Sequence, residues 1–394
     1  MARAHWIGLA AAIIVIVASA HAEEKRWTGG AGNGNWSDDN NWFPAGKPGA
    51  GDDVVIPGGS GDIKLPGGDP AHVMVKSLKM ECPPAGTSTI RPQPDDRHVE
   101  ITAQDFVEIG PCGVIRGNDG TSAHPKGGNV DIIVLGTGGH IRNEGLIIGG
   151  SGDVPADGGV PAPGGDVTLK GNTITNTGRE LGGMGGSKGA GVGNGARGGN
   201  VTNQATGPNG TVQQNGEKKG GPGGGPGSGG GVQGPDGKVA CLAPGSVQVG
   251  PANVMTGRTI EVRVNPGGLI GMQGLPPNAI HAAVTVFIDA GFPGGQVLLF
   301  GAGPNCIVAG QRVCVRGNAV TSQGVTLAML TQPDAQSCVN CPGDYNADGA
   351  VDDFDAFDFL NDFFAGSFNA DINNDESVDD FDYFEFLNAF FGPC

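Results

Sequence analysis

Gly127-Gly128-Asn129-Val130, Gly164-Gly165-Asp166-Val167 and Gly198-Gly199-Asn200-Val201 are three versions of one motif, set 37 and 34 residues apart. Each leads to a related second element: Ile141-Arg142-Asn143-Glu144-Gly145, Ile174-Thr175-Asn176-Thr177-Gly178, then Val212-Gln213-Gln214-Asn215-Gly216. Ile115-Arg116-Gly117-Asn118-Asp119-Gly120 reads as an earlier member of that second series. Repetition at this period implies stacked units that bury one another's apolar faces, as in a solenoid. Before the repeat, short β-rich runs alternate with turn residues: Val54-Val55-Ile56, Val73-Met74-Val75, Val99-Glu100-Ile101-Thr102 and Val107-Glu108-Ile109. Gly density and β-branched content disfavour helices here. The expected fold class is therefore mainly β.

Over residues 53–330 the pattern resembles a Gly-rich parallel β-helix of the pectin-lyase-like kind, with a sandwich of short hairpins as the competing arrangement. The stretches 182–199 and 220–237 are too poor in apolar residues to order themselves by burial. They lack a strict three-residue period, which excludes collagen, and are expected to protrude from successive coils as loops. Further on, 284–288, 296–300, 312–315 and 325–330 are expected as four strands closing the β-body. Residues 331–340 read as a linker. At the other end, Trp27, Trp36 and Trp42 lie among Gly and Asn turn formers in residues 23–52, which read as a cap on the first coil. An exposed sugar-binding platform is the alternative use of three such rings.

Charge divides the chain unevenly. Of the formal −17, residues 341–394 hold 14 Asp/Glu and no Lys or Arg, which leaves −3 for the other 340 residues. Eleven of the 16 Phe lie in the same tail, so it is acidic and still able to build a core. No basic patch is present to displace counterions from phosphate, which argues against a nucleic-acid partner.

Within that tail, two segments that start 27 residues apart carry oxygen side chains at positions 1, 3, 5, 9 and 12. This is the spacing at which one loop wraps a hard cation, with a backbone carbonyl at position 7. The first set is Asp344, Asn346, Asp348, the carbonyl of Ala350, Asp352 and Asp355. The second is Asp371, Asn373, Asp375, the carbonyl of Ser377, Asp379 and Asp382. Val351 and Val378, at position 8, are expected to join the loops as a short β-bridge. Position 12 is Asp rather than the Glu of an EF-hand, and no helix precedes either loop. Both departures, with Cys341-Pro342 at the front and Cys394 at the end, make residues 341–394 resemble a GC-type dockerin. That resemblance implies two Ca²⁺ sites, two exiting helices and a cohesin-like or other cell-surface protein as partner. Phe354, Phe357, Leu360 and Phe364 form one helical stripe, matched by Phe381, Phe384, Leu387 and Phe391, and these are expected to pack inward. Phe359, Phe363, Phe386 and Phe390 are then the expected contact surface. Position 6 is Gly349 in the first loop and Glu376 in the second, so the second site is expected to bind more weakly.

Residues 1–22 have the layout of a secretory signal, with Arg3, an apolar stretch from Ile7 to Ala20 and an Ala20-His21-Ala22 cleavage pattern. Export to the cell surface or medium is expected, with no membrane span after cleavage. Eight Cys in such a compartment point to structural disulfides. Cys306–Cys314, across a hairpin, and Cys341–Cys394, around the tail, are the plausible pairs.

The expected function is a non-catalytic surface or extracellular protein assembled through its calcium module. No acid/base pair recurs at matching repeat positions. A polysaccharide lyase or glycoside hydrolase is the alternative, with Glu144 near Asp166 or Arg142 near Arg116 as the only geometric openings. A carbohydrate-binding adhesin using the Trp cluster is the third reading.

Overall fold

A strand turns every second side chain to the same face, so Val130-Asp131-Ile132-Ile133-Val134 buries Val130, Ile132 and Val134 together. The computed structural model describes residues 23–394 apart from 69, 83–85, 155–158, 190, 291–294, 311, 323–324, 333–335, 338–344, 346–350, 352, 365–369, 371–377 and 392–394. In it, such strands stack in parallel into three sheets. The first runs from Glu24–Trp27 and Asp53–Ile56 through His140–Asn143, Thr173–Asn176 and Thr211–Gln214 to Asn318–Thr321. The second runs from Gly61–Lys64 to Thr331–Gln332, and the third from residues 71–75 to Gln336–Ser337. Each coil visits all three sheets in turn, which makes the body a solenoid. Among the described strands, antiparallel pairing is confined to Glu24–Trp27 with Trp42–Phe43, so the hairpin sandwich is not formed.

The sequence motif marks equivalent rungs. Val130, Val167 and Val201 stack in register in the third sheet, and Ile141, Ile174 and Val212 in the first. Ile115 is not an earlier member of the second series. It pairs with Ile90 and Ile147 in the second sheet, whereas Ile141 stacks on Val107. Both segments place an inward aliphatic before a Gly turn, and only their position in the coil tells them apart.

Most interior columns are aliphatic. In the first sheet one column changes to Asn143, Asn176 and Gln214, all fully buried. Asn143 Nδ2 donates to Asn176 Oδ1 at 3.0 Å, while the two Oδ1 atoms accept the N–H of Gly145 and Gly178 at 3.0 and 3.1 Å. Asn143 and Asn176 are thus bonded to each other and fasten the turns after their strands, and Gln214 Nε2 donates to Gly216 O at 3.1 Å.

The Gly-rich segments are not free loops. Between the second and third sheets of four successive coils, the described residues of 117–128, 149–154, 159–165, 182–189, 191–199 and 220–237 run out and back largely as extended chain. They bond to one another at every third residue: Gly182, Gly185 and Lys188 donate to Lys219, Pro222 and Gly225, and Gly221, Gly224 and Gly227 donate to Gly199, Ala196 and Gly193. Three residues per repeat without internal hydrogen bonds is the screw of polyproline II. Backbone hydrogen bonds order these segments where side-chain burial would not. Their closeness requires glycine: a Cβ on Gly183 would lie 1.9 Å from the carbonyl oxygen of Gly150.

Three further expectations change at the ends. Residues 325–330 include a helical turn, Leu327–Leu330, instead of a fourth strand. The ladder continues through Gln336–Ser337, so the body reaches into the stretch read as a linker. Cys306 and Cys314 are not paired with each other. Cys306 is free and buried, its thiol donating to Leu330 O at 3.4 Å, whereas Cys314 is in a disulfide. The reason is topological: Ile307–Ala309 and Arg312–Arg316 are not a hairpin but consecutive rungs of two sheets, stacked on Ile280–Asp289. Burial pushes the Cys306 thiol up to about 11. Cys82 and Cys112 form a disulfide between adjacent coils. Cys341, Cys394 and the signal segment 1–22 lie outside the described residues. Among the described residues, no helix is long and apolar enough to cross a membrane.

The three indoles of the N-terminal segment form a closed cluster. Trp27 and Trp36 each meet Trp42 edge-to-face at 4.9 and 4.8 Å, and Trp42 Nε1 donates to Trp36 O at 2.7 Å. None is more than 4% exposed, so they seal the first coil and present no ring to a sugar.

Candidate metal centre

The tail contributes two helices, Asp353–Phe364 and Asp380–Phe391. The second starts on a reciprocal cap. Asp379 Oδ1 accepts the N–H of Phe381 at 2.9 Å, and Asp382 Oδ2 accepts the N–H of Asp379 at 3.0 Å. Asp382 at position 12 is fully buried, as is Asp355, its equivalent 27 residues earlier. The same shift relates Phe359 to Phe386, Leu360 to Leu387 and Phe363 to Phe390, which form the core between the helices.

Leu360 and Leu387 pack inward as expected, but the phenylalanines exchange faces. Phe359 and Phe386 are buried and stacked, while Phe357, Phe364, Phe381, Phe384 and Phe391 are 59–81% exposed. Both stripes have helical spacing, and the buried aspartates decide between them. Residues four and eight positions after Asp355 and Asp382 share their inward face. Val351 and Val378 make no β-bridge; Val351 is exposed and Val378 packs at the edge of the ring cluster.

Of the twelve expected calcium ligands, Asp355, Asp379 and Asp382 lie within the described residues. Asp344, Asn346, Asp348, Ala350, Asp352, Asp371, Asn373, Asp375 and Ser377 lie outside them. The three described ones fit a hard cation: their donors are carboxylate oxygens, and two sit out of water in a segment without Lys or Arg. Among the described residues no group of three or more metal-ligating side chains converges.

A second candidate lies on the solenoid. An open groove of about 440 Å³ is lined by Lys79, Glu81, Glu108, Arg142 and Glu144, and a neighbouring one of about 470 Å³ shares Glu144 and adds Arg179 and Glu217. Each carboxylate has its own partner: Arg26 for Glu81 at 2.8 Å, the His140 ring for Glu108 at 3.3 Å, Arg142 for Glu144, and Arg179 for Glu217 at 2.5 Å. The combinations expected from the sequence do not assemble: Asp166 pairs with Arg197 at 3.5 Å and Arg116 with Asp119 at 3.0 Å. Glu108 and Arg142 occupy one outward column of the first sheet, so the parallel register was the missing information.

No family model, no curated protein and no solved structure matches this chain.

Proposed function

We propose that the chain is an exported, non-catalytic surface or extracellular β-solenoid protein, held in place through a calcium-dependent dockerin-like module at residues 341–394. The observation that carries this reading is the pair Asp355 and Asp382. Two carboxylates are buried at equivalent points of two helices, each at the twelfth position of a calcium-loop pattern. When bound, Ca²⁺ supplies positive charge to carboxylates that otherwise repel one another. The chain's own part is to cap the second helix through Asp379 and Asp382 and to turn Asp355 and Asp382 inward. The exposed phenylalanines then face outward together, as a docking surface for a cohesin-like or other cell-surface protein. Titrating calcium into the full chain after chelation tests the reading. A saturable heat and a gain in helical circular dichroism are expected, and their absence would overturn it.

The groove around Glu144 favours a second reading, a polysaccharide lyase or glycoside hydrolase, because it gathers several carboxylates with Arg142 and Arg179. Screening uronic-acid and neutral polysaccharides against wild type and Glu144→Gln separates the two. Turnover lost in the variant would establish catalysis, and turnover by neither would leave the docking reading alone.

A further inference from the structure

In the second sheet one interior column runs Ile63, Ile90, Ile115, Ile147, then Glu180 and Lys218, then Met255. In the third sheet a column changes at the same two coils from Leu169 to Asn203 and Cys241, then returns to Val262. Four polar or nucleophilic side chains thus replace aliphatic ones in two interior columns, and all four are fully buried. Glu180 Oε2 lies between two of them, 3.6 Å from Lys218 Nζ and 3.0 Å from Asn203 Nδ2. Lys218 Nζ, Glu180 Oε1 and Asn203 Oδ1 have no hydrogen-bond partner.

As an ion pair this arrangement is poor. The ammonium has three donors to satisfy and sits beyond hydrogen-bond distance of its only carboxylate contact, in an apolar interior. Burial pushes the Glu180 carboxyl up, with Lys218 and Asn203 opposing it, which favours the neutral acid over the carboxylate. A lysine amine that has handed a proton to a neighbouring carboxylate is a nucleophile, and Asn203 brings a carboxamide to the same Glu180 oxygen.

We propose that Lys218 and Asn203 join in an intramolecular isopeptide bond, formed with Glu180 as the proton-transferring group. Lys218 gives one proton to Glu180, and its free amine attacks Cγ of Asn203, forming the new C–N bond. Turned about its side-chain bond, the Asn203 amide places Oδ1 toward the protonated Glu180, which polarises the carbonyl. A second proton passes from the attacking nitrogen through Glu180 to Nδ2. The Cγ–Nδ2 bond then breaks and ammonia leaves. Glu180 ends as a neutral acid hydrogen-bonded to the new amide, and no oxidant or metal takes part. The product replaces a buried charge pair by a secondary amide and fastens two adjacent coils where the Gly-rich bundle leaves the solenoid.

The test is mass spectrometry of the purified, folded chain. Asn203 and Lys218 lie on either side of Glu217, so cleavage after Glu217 should leave their two segments joined and lighter by one ammonia. Hydroxylamine treatment opens a succinimide at Asn209-Gly210 or Asn215-Gly216, which also lacks one ammonia, and leaves an isopeptide intact. Glu180→Gln should restore two separate segments of full mass. Wild-type segments that separate at full mass, or a deficit removed by hydroxylamine, would overturn the proposal. The wild-type measurement decides the matter even if the variant does not fold.

Discussion

Phe359 and Phe386 stack with ring centroids 4.1 Å apart and planes inclined by 7°, each four residues after a buried aspartate. The contact holds the two helices Asp353–Phe364 and Asp380–Phe391 face to face. Whatever closes around Asp355 and Asp382 also sets which phenylalanines are buried and which are offered outward.

Phe359→Ala removes a ring from the centre of this cluster and is expected to lower the stability of the calcium-loaded tail by about 3–5 kcal/mol. Phe357→Ala, on the exposed face, is expected to change stability by less than about 0.5 kcal/mol. Chemical denaturation followed by helical circular dichroism distinguishes the two, and equal effects would mean that the faces are assigned wrongly.

On the proposed calcium reading, Asp355→Ala and Asp382→Ala each remove the position-12 carboxylate of one loop pattern, and each is expected to weaken calcium binding at its own site by about tenfold or more. In the wild type the loop with Glu376 is expected to bind more weakly than that with Gly349, because the turn at position 6 costs a residue other than glycine about 1–2 kcal/mol. Calorimetry that resolves two equal sites would contradict this.

Gly183→Ala places a Cβ 1.9 Å from the Gly150 carbonyl oxygen, whereas at Gly225 the nearest atom is Ser187 Oγ at 3.5 Å. The first substitution is expected to destabilise the solenoid by at least about 1–3 kcal/mol. The second is expected to change little. Thermal melts showing the two variants alike would refute the tight packing of the Gly-rich segments.

Asp131 stacks between Glu100 and Thr168. Burial raises its carboxyl above the ordinary 3.8, with Glu100 and Asp166 adding repulsion and Thr168 and Lys170 opposing. The folded chain therefore holds this proton more tightly than the unfolded chain. Its contribution favours folding below the ordinary value and is lost as pH rises through the raised one. Asp131→Asn is expected to raise the melting temperature at pH 7 and to leave it nearly unchanged at pH 3. No gain at pH 7 would show that the carboxylate is satisfied where it stands.

The amino-acid order by itself determined that strands stack at the period of the Gly-Gly-Asn-Val motif, since Val130, Val167 and Val201 must share one buried column for the repeat to close. It also located the two aspartate-rich segments, because the spacing of their oxygen side chains is local. The tertiary structure alone decided which stripe of each tail helix faces inward: periodicity groups Phe359 with Phe363, and Phe357 with Phe364, without saying which group meets the partner helix. It alone converted glycine runs into a hydrogen-bonded bundle, since their partners lie one coil away. Glu180, Lys218 and Asn203 meet for the same reason. Residues distant along the chain become neighbours only through the register of parallel sheets, and the motif marks that register within one sheet without saying which side chains meet between sheets.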